Sequence, residues 1–374
     1  MDLLNSIDWA LIAWTLAKSV FLLGVVLTMV SYTVYAERRV SAFIQERLGP
    51  NRTGFPLTLL GFKKDWSPIL GGLGQPIADA MKLLLKEDFT PAYVNKLYFW
   101  IAPGLGIAAV ICTLAVVPFG STLFGVPMVI ADVNIGILFT FAFSSLAVYG
   151  IVLAGWSSNS KYPFLGGIRS TSQMISYELS LGLSVIPIFL ILGNLNLGDI
   201  VRYQAENGWM LLPFMDGKLT LNEALLWIPM GISFVIFSVA MFAETNRLPF
   251  DLPEAETELI GGYHTEYSSM KFALFFLGEY AAMIAGSAVV VTLFLGGWHV
   301  PFIPDGSAGW VWGLVNIGAF FAKIAVLLFI FIWVRWTLPR FRYDQLMRLG
   351  WIVFFEVAFV NIFITAGILA FKLK

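Results

Sequence analysis

The sequence has very few of the residues that hold metals and redox groups. It contains one cysteine, Cys112, within an apolar run, and two histidines, His264 and His299. A single thiol excludes an internal disulfide and any zinc site or iron–sulfur cluster built on cysteines. The two histidines fall in loops predicted to lie on opposite sides of a membrane, which excludes a haem held by both. We therefore expect this chain to bind no metal, flavin or haem.

Charge is also scarce. Charged residues make up 13% of the 374 residues, hydrophobic residues make up 58%, and the mean hydropathy is +0.80. A soluble globular domain carries about 25% charged residues. The composition therefore predicts an integral membrane protein, with no feature that indicates nucleic-acid binding.

Eight apolar stretches are each long enough to cross roughly 30 Å of hydrocarbon as a helix. No internal repeat is visible, and the loops are too short for a separate soluble domain. The sequence thus predicts an all-α membrane protein that forms one polytopic domain over residues 1–374. The predicted spans are Trp9–Tyr35, Leu97–Phe119, Ile135–Trp156, Met174–Leu192, Ala224–Phe242, Phe272–Leu295, Val311–Val334 and Trp351–Phe371.

The loop lysines and arginines are distributed unevenly. Most lie in the odd-numbered loops, and the loops and termini of the opposite side have only Arg202, Lys218, Lys372 and Lys374. By the positive-inside rule, the odd-numbered loops face the cytoplasm and both termini face outward. No organelle transit segment is recognised at the start of the chain, which favours a bacterial inner membrane.

The first cytoplasmic loop, residues 36–96, contains a helical pattern. Apolar residues recur at helical spacing over Gln75–Lys86, and Pro76 stands near its start. This pattern predicts a short amphipathic helix lying in the membrane interface. A helix packed on the cytoplasmic surface of the protein itself fits the pattern equally well, and the two arrangements are compatible.

The fifth loop, residues 243–271, is rich in carboxylates. Its first part, residues 243–259, holds five acids beside Arg247, and three further acids fall inside predicted spans. Charged groups at membrane depth cost free energy, so they commonly mark an ion or substrate pathway. The loop acids are Glu244, Asp251, Glu254, Glu256 and Glu258, and the span acids are Glu178, Glu279 and Glu356.

Eight short blocks, in order along nearly the whole chain, resemble a known family. They are Glu37–Arg39, Glu46–Arg52, Gln75–Lys82, Gly155–Tyr162, Ile175–Glu178, Ala243–Leu252, Tyr263–Tyr267 and Pro339–Leu346. The chain resembles the membrane subunit of respiratory complex I that adjoins the quinone-reducing module, called the H subunit in bacteria and subunit 1 in mitochondria. The resemblance implies a component of a proton-pumping NADH:quinone oxidoreductase, with a quinone (ubiquinone or menaquinone) as substrate.

A quinone needs a tunnel that is apolar at its mouth and polar toward the electron donor. The resemblance places such a tunnel at the cytoplasmic end of the first span and in the first loop. Its expected polar residues are Glu37, Arg38, Arg47, Asp79, Lys82 and Arg247. The alternative, from spacing alone, is that these bases only anchor the protein at the interface.

The resemblance also implies a funnel of acids that leads from the quinone cavity toward the antiporter-like subunits. Its expected members are Glu178, Glu244, Asp251, Glu254, Glu256, Glu258 and Glu279. Clustered carboxylates raise one another's pKa, which suits proton relay. The alternative for a lone embedded acid is a structural hydrogen bond, and this interpretation is preferred for Glu356. Lys323 either pairs with an acid or extends toward the interface.

Several partners follow from the resemblance. Soluble iron–sulfur and quinone-module subunits would dock on the cytoplasmic side, and membrane-arm subunits and lipids would surround the helices. The segments Asn246-Arg247 and Arg340–Asp344 are either docking elements for the soluble subunits or a solvated charge patch beside the membrane. Two alternatives remain: the related component of an energy-converting hydrogenase or formate hydrogenlyase complex, and a stand-alone ion transporter, which usually shows paired halves.

One departure from the family is the insertion Phe55–Gly74, beside the expected quinone entrance, for which the resemblance gives no role.

Overall fold

The computed structural model describes residues 9–51, 72–212, 221–252, 261–301 and 309–372. Among these residues, eight helices are long and apolar enough to cross a bilayer. This confirms the prediction of an all-helical, multi-pass membrane protein. Three of the predicted proton-path acids, Glu254, Glu256 and Glu258, lie outside the described residues, as does most of the insertion Phe55–Gly74.

The described helices are numbered in chain order. They are α1 Trp9–Ile44, α2 Gln75–Leu85, α3 Lys96–Val116, α4 Gly136–Ser157, α5 Lys161–Leu192, α6 Leu197–Asn207, α7 Leu221–Glu244, α8 Ser269–Phe294, α9 Trp310–Thr337, α10 Tyr343–Arg348 and α11 Phe355–Lys372. A 3₁₀ turn, Gly262–His264, precedes α8, and a π-helical segment, Leu349–Phe354, joins α10 to α11. A hairpin pairs β1, Thr122–Leu123, with β2, Val126–Pro127.

The ends of the bundle differ in their connections. We call one end the motif face; its described connections are 45–51, 72–95, 158–160, 245–252, 261–268 and 338–342. The other end is the hairpin face, with described connections 117–135, 193–212 and 295–301. Helix α6 on the hairpin face was not predicted, since it is short and too polar to be counted as a span. Its N-cap is Asn196, whose side chain accepts hydrogen bonds from the N–H groups of Gly198 and Asp199.

Several helices extend past the predicted spans on the motif face. Helix α1 continues beyond Tyr35 to Ile44, and α5 begins at Lys161 rather than near Met174. Apolar runs mark where hydrocarbon begins and ends, whereas a helix continues into the polar interface as long as its backbone bonds are kept. As a result, Glu37 and Arg38 sit on a rigid helix.

Helix α8 is the centre of the bundle. It packs against α1, α3 and α9, and it is the most buried of the eight spanning helices. Its second half, from Ala281 to Phe294, consists mainly of small and apolar residues that are nearly all buried. Helix α8 therefore connects the motif face to the hairpin face through the middle of the protein.

Helices α3 and α4 form the closest helix pair. A Cβ atom added at Gly150 would lie 3.0 Å from the carbonyl oxygen of Ala102, so the absence of a side chain lets the two backbones approach. Small residues at such crossings are typical of membrane helices, where close van der Waals packing drives association.

The amphipathic helix of the first loop is present as α2. It packs against α1 and α8 at the motif face, and none of its residues is buried. Leu84 and Leu85 at its end are exposed. The helix thus packs on the surface of the protein and also presents apolar side chains outward; its place in the membrane interface stays a prediction. Gly72 lies against Pro50, where an added Cβ would collide with the Pro50 carbonyl oxygen. The described residues on either side of the gap, Pro50 and Gly72, therefore lie close together.

Candidate functional site: a charged cluster between two cavities

A buried carboxylate on α1 is the hub of the site. The Oε2 atom of Glu37 accepts a hydrogen bond from the Tyr280 hydroxyl at 2.7 Å and from Arg247 Nη1 at 3.3 Å. Its Oε1 atom accepts from Arg335 Nη1 at 2.5 Å. Three donors from α8, α9 and the loop after α7 thus converge on one acid, which a buried carboxylate needs if it is to stay charged.

Arg247 links this hub to a second acid. Its Nε atom forms an ion pair with Glu279 of α8, and its guanidinium lies 4.2 Å from the centre of the Tyr280 ring. Burial by itself lowers the pKa of the guanidinium, but the charges and contacts of Glu279, Tyr280 and Glu37 raise it above its ordinary value. Arg247 is therefore a permanent positive charge between two carboxylates.

The loop that carries Arg247 is held by a buried glutamine of α5. Gln173 donates from Nε2 to the carbonyl oxygens of Ala243 and Phe250, each at 2.8 Å. The same amide contacts the side chain of Asn246 at 3.2 Å. Because these contacts hold both ends of the segment, the position of Arg247 is set by the protein core.

A cavity of about 470 Å³ opens beside this hub at the motif face. One part of its wall is polar and another part is apolar. The lining residues are Val34, Glu37, Arg38, Ser41, Ala42, Arg47, Gly49, Pro50, Phe276, Tyr280, Arg335 and Trp336. We call it the entrance cavity. Pro50, five residues before the insertion, is one of these lining residues.

The predicted tunnel residues are only partly brought together. Glu37, Arg38 and Arg47 line the entrance cavity, and Arg247 contacts it through Glu37. Asp79 of α2 does not line the cavity but pairs with Arg38 at 2.7 Å. Lys82 lies on α2, is not buried and does not line the cavity.

A second, smaller cavity lies on the other side of the cluster. It has a volume of about 70 Å³ and is lined by Glu279, Glu244, Asn246 and Tyr263, together with apolar residues of α3, α4 and α8. We call it the inner cavity. At ~30 Å³ per water molecule, it has room for roughly two waters. Two predicted proton-path acids thus open onto one water-sized space.

The acids beyond the inner cavity continue along α7 and α5. Ser144 hydrogen-bonds to Glu244, and Glu178 lies near enough to act on the same carboxyl group electrostatically. Glu178 is half-buried on α5. Asp251, by contrast, is held at the motif face by Arg340, whose Nη2 lies 3.0 Å from Asp251 Oδ2. Asp251 lines neither cavity.

Three important residues were not found from the sequence. Tyr280 and Gln173 are neither carboxylic acids nor loop bases, and Arg335 is one of several bases in the odd-numbered loops. Each acts through partners far away in the chain; Arg335, for example, is separated from Glu37 by 298 positions. The adjacent pair Glu279-Tyr280 and the basic residue near the end of a span were the available signals, but they do not specify a partner.

The structure also resolves two open alternatives. Lys323 pairs with no acid in the described part of the chain; its ammonium group donates to three backbone carbonyls. The structural hydrogen bond preferred for Glu356 is not present among the described residues, because this side chain is exposed on the bundle surface at the start of α11. The described residues contain no group of three or more His, Cys, Asp or Glu side chains that is placed to hold a metal ion.

Comparison with known proteins then identifies the family. A family model described as NADH dehydrogenase matches residues 17–366. The chain is 47% identical to an H subunit of NADH-quinone oxidoreductase from Geobacter metallireducens, over 96% of this chain and 98% of the relative. The chain belongs to the H-subunit family of NADH-quinone oxidoreductase. It is also similar to the H subunit of Rhodospirillum centenum, at 47% identity over 94% and 93% of the two chains. Subunit 8 of the enzyme from Rhodothermus marinus is 44% identical over 94% and 96%.

Membership of the H-subunit family confirms the resemblance seen in the eight blocks. The chain is a membrane component of a multi-subunit NADH-quinone oxidoreductase, which favours this interpretation over a hydrogenase component or a stand-alone transporter.

Proposed function

We propose that this protein forms the quinone-binding tunnel and the first part of the proton-coupling path. The observation that carries the proposal is the position of Glu37. This single carboxylate lines the entrance cavity and also contacts Arg247, which in turn pairs with Glu279 at the inner cavity. A change of charge in one cavity therefore has a direct route to the other.

The walls of the entrance cavity fit a quinone. Val34, Phe276 and Trp336 offer apolar surface for an isoprenoid tail, and Arg38 and Arg47 offer hydrogen-bond donors for the carbonyl oxygens of the head group. The relatives are named as quinone oxidoreductases, which supports quinone as the substrate of the complex. Ubiquinone and menaquinone share this chemistry, so the cavity does not select between them.

Electrons and most of the catalytic chemistry come from partners. Reduction of a quinone to a quinol consumes two electrons and two protons. In this proposal a terminal iron–sulfur cluster on a soluble partner supplies the electrons, and groups on that partner protonate the head. The chain's own part is to hold the quinone and to respond electrostatically to the reaction.

The response begins at the cluster. Negative charge that develops on the quinone near Glu37 draws the guanidinium of Arg247 toward the entrance cavity and weakens its pairing with Glu279. Arg247 Nη2 is buried without a hydrogen-bond partner among the described residues, so the guanidinium has an uncommitted donor. A Glu279 carboxylate that loses its positive partner takes up a proton more readily.

The proton then passes inward along the acids. Water in the inner cavity connects Glu279 to Glu244, and Glu178 is the next acid, on α5. From there the path leads toward antiporter-like membrane subunits. Asp251 has a separate task in this proposal: with Arg340 it stiffens the motif face where soluble subunits dock. The motif face is cytoplasmic in a bacterial inner membrane, and both termini face outward.

Photoaffinity labelling of the complete complex tests the tunnel. A quinone analogue with a photoreactive group on its ring is irradiated with the purified complex, and the labelled peptides are mapped by mass spectrometry. We expect labels within residues 34–50, 276–280 and 335–336, and excess natural quinone should prevent them. Competed labelling confined to other subunits would contradict the proposal. Trp100 of α3 does not line the entrance cavity. Labelling at Trp100 therefore measures nonspecific partitioning of the analogue into the membrane.

A further inference from the structure

A buried cation in the middle of α9 faces the hairpin side of the protein. The Nζ atom of Lys323 donates to the carbonyl oxygens of Leu295, Gly297 and His299 at 2.7, 2.9 and 2.7 Å. The same atom lies 4.1 Å from the centre of the Trp209 ring. These groups form a cage around the nitrogen at the point where α8 ends.

The geometry of the cage fits the ammonium form of Lys323. An ammonium group has three N–H donors and no acceptor, and the three carbonyl oxygens use all three donors. A neutral amine would turn its lone pair toward one of these oxygens. The face of an aromatic ring also attracts a cation. Because carbonyl oxygens do not titrate and carry no net charge, the positive charge of Lys323 is solvated but not cancelled.

A second lysine repeats this arrangement. Lys18 of α1 is 8% exposed and donates to the carbonyl oxygens of Val129 at 2.6 Å and Pro127 at 3.3 Å. Both acceptors belong to the hairpin and the segment that follows it. In the described part of the chain, neither Lys18 nor Lys323 forms an ion pair with a carboxylate. The hairpin side therefore holds two embedded positive charges near its loops.

The part of α8 between Glu279 and the Lys323 cage is poor in polar groups. Sixteen positions separate Glu279 from Leu295 in the sequence, which corresponds to roughly 24 Å of helix. The Thr292 hydroxyl is used by the carbonyl oxygen of Ala288. The buried Ser287 hydroxyl has no hydrogen-bond partner among the described residues. Along α8, a proton leaving Glu279 in this direction meets one uncommitted hydroxyl and then the Lys323 cage.

We propose that the hairpin side of this protein is an electrostatic seal against proton leak, with Lys323 as its main charge and Lys18 as the second. This inference rests on the proposed function, because a seal is useful only where acids and water bring protons into the bundle. Fixed positive charge repels a hydronium ion strongly in a medium of low dielectric constant, and pores use the same device to exclude protons. The seal makes the proton path accessible from the motif face alone.

Passive proton leak in liposomes tests the seal. The complete complex is reconstituted with Lys323→Gln, Lys323→Arg or Lys161→Gln, and the decay of an imposed pH gradient is followed without NADH. At position 323, glutamine keeps amide donors for two carbonyls but removes the charge, whereas arginine keeps the charge. Lys161→Gln is the control, because Lys161 is an exposed lysine at the motif face. We expect the leak to rise about tenfold for Lys323→Gln, the effect of one charge roughly 10 Å away at an effective dielectric constant of ~20. The other two variants should match the wild type.

Two results would overturn the seal. One is an assembled Lys323→Gln complex with an unchanged leak. The other is a Lys323→Gln complex that does not assemble while Lys18→Gln assembles without added leak, since Lys323 would then be structural and Lys18 would have no sealing role. The leak is measured without turnover, so its outcome is independent of quinone binding and of coupling. NADH:quinone electron transfer in uncoupled liposomes should stay at the wild-type rate in Lys323→Gln, which separates failure of the seal from failure of the proposed function.

Discussion

The two ends of α8 hold charge in opposite ways. Toward the motif face, Glu279 shares Arg247 with Glu37, so that acids and a base neutralise one another. Toward the hairpin face, Lys323 is surrounded by carbonyl oxygens that have no charge and no proton to exchange. The first arrangement responds when a neighbouring charge changes, because its acids can gain or lose a proton. The second has no acid among the described residues, and the carbonyl oxygens around its cation do not ionise. One helix thus joins a responsive half to a fixed half.

The comparison predicts that breaking the responsive half has the largest effect. Arg247→Met leaves Glu37 and Glu279 buried without a shared cation, which costs about 3–5 kcal/mol for a broken buried ion pair. We expect little assembled complex and nearly complete loss of NADH:quinone activity, measured by native electrophoresis and by activity in membranes. Arg247→Lys keeps the charge and should restore assembly in part. Normal assembly of Arg247→Met would show that the two acids do not depend on the arginine.

The loop that carries Arg247 should be the next most sensitive element. Gln173→Leu removes the donor shared by the carbonyls of Ala243 and Phe250, and each buried unsatisfied group costs about 1–3 kcal/mol. We expect a lower thermal midpoint and lower activity in the purified complex. Gln173→Glu, which retains the shape but offers no N–H donor when ionised, should be at least as damaging. A wild-type midpoint for Gln173→Leu would mean that other contacts position the loop.

A smaller and more specific effect is expected at Arg335. This residue is half-buried and contributes one of the three donors on Glu37. Arg335→Gln should raise the KM for a short-chain quinone several-fold while changing kcat little, because the entrance cavity loses charge but Arg247 and Tyr280 still hold the carboxylate. A fall in kcat at unchanged KM would place Arg335 in coupling rather than in quinone binding.

The surface pair Arg38–Asp79 should matter least for stability. Both side chains are partly exposed, and exposed ion pairs contribute about 0–1 kcal/mol. Asp79→Asn should leave the thermal midpoint nearly unchanged. Arg38 itself lines the entrance cavity, so Arg38→Gln should raise the KM for quinone at constant stability. A large loss of stability in Asp79→Asn would show that α2 is held to α1 mainly by this pair.

The sequence specifies some of these features and not others. Apolar runs predicted every spanning helix, since burial in hydrocarbon requires them, and embedded acids such as Glu279 stood out because they are costly there. The pairing of Arg247 with Glu37 joins positions 210 apart, and no pattern in the chain records such a contact. Lys323 was left ambiguous because its acceptors are backbone carbonyls, which are present at every residue. Helix α6 was missed because it is short and does not cross the membrane.

The proposed function requires Glu244 to relay protons between the cluster and the membrane arm. The most direct test of this relay is the number of protons moved per electron in liposomes containing the complete Glu244→Gln complex, with Glu356→Gln as a matched control on the bundle surface. We expect Glu244→Gln to reduce quinone in the presence of an uncoupler but to move clearly fewer protons per electron, whereas Glu356→Gln keeps the wild-type ratio. A wild-type ratio in Glu244→Gln would contradict it.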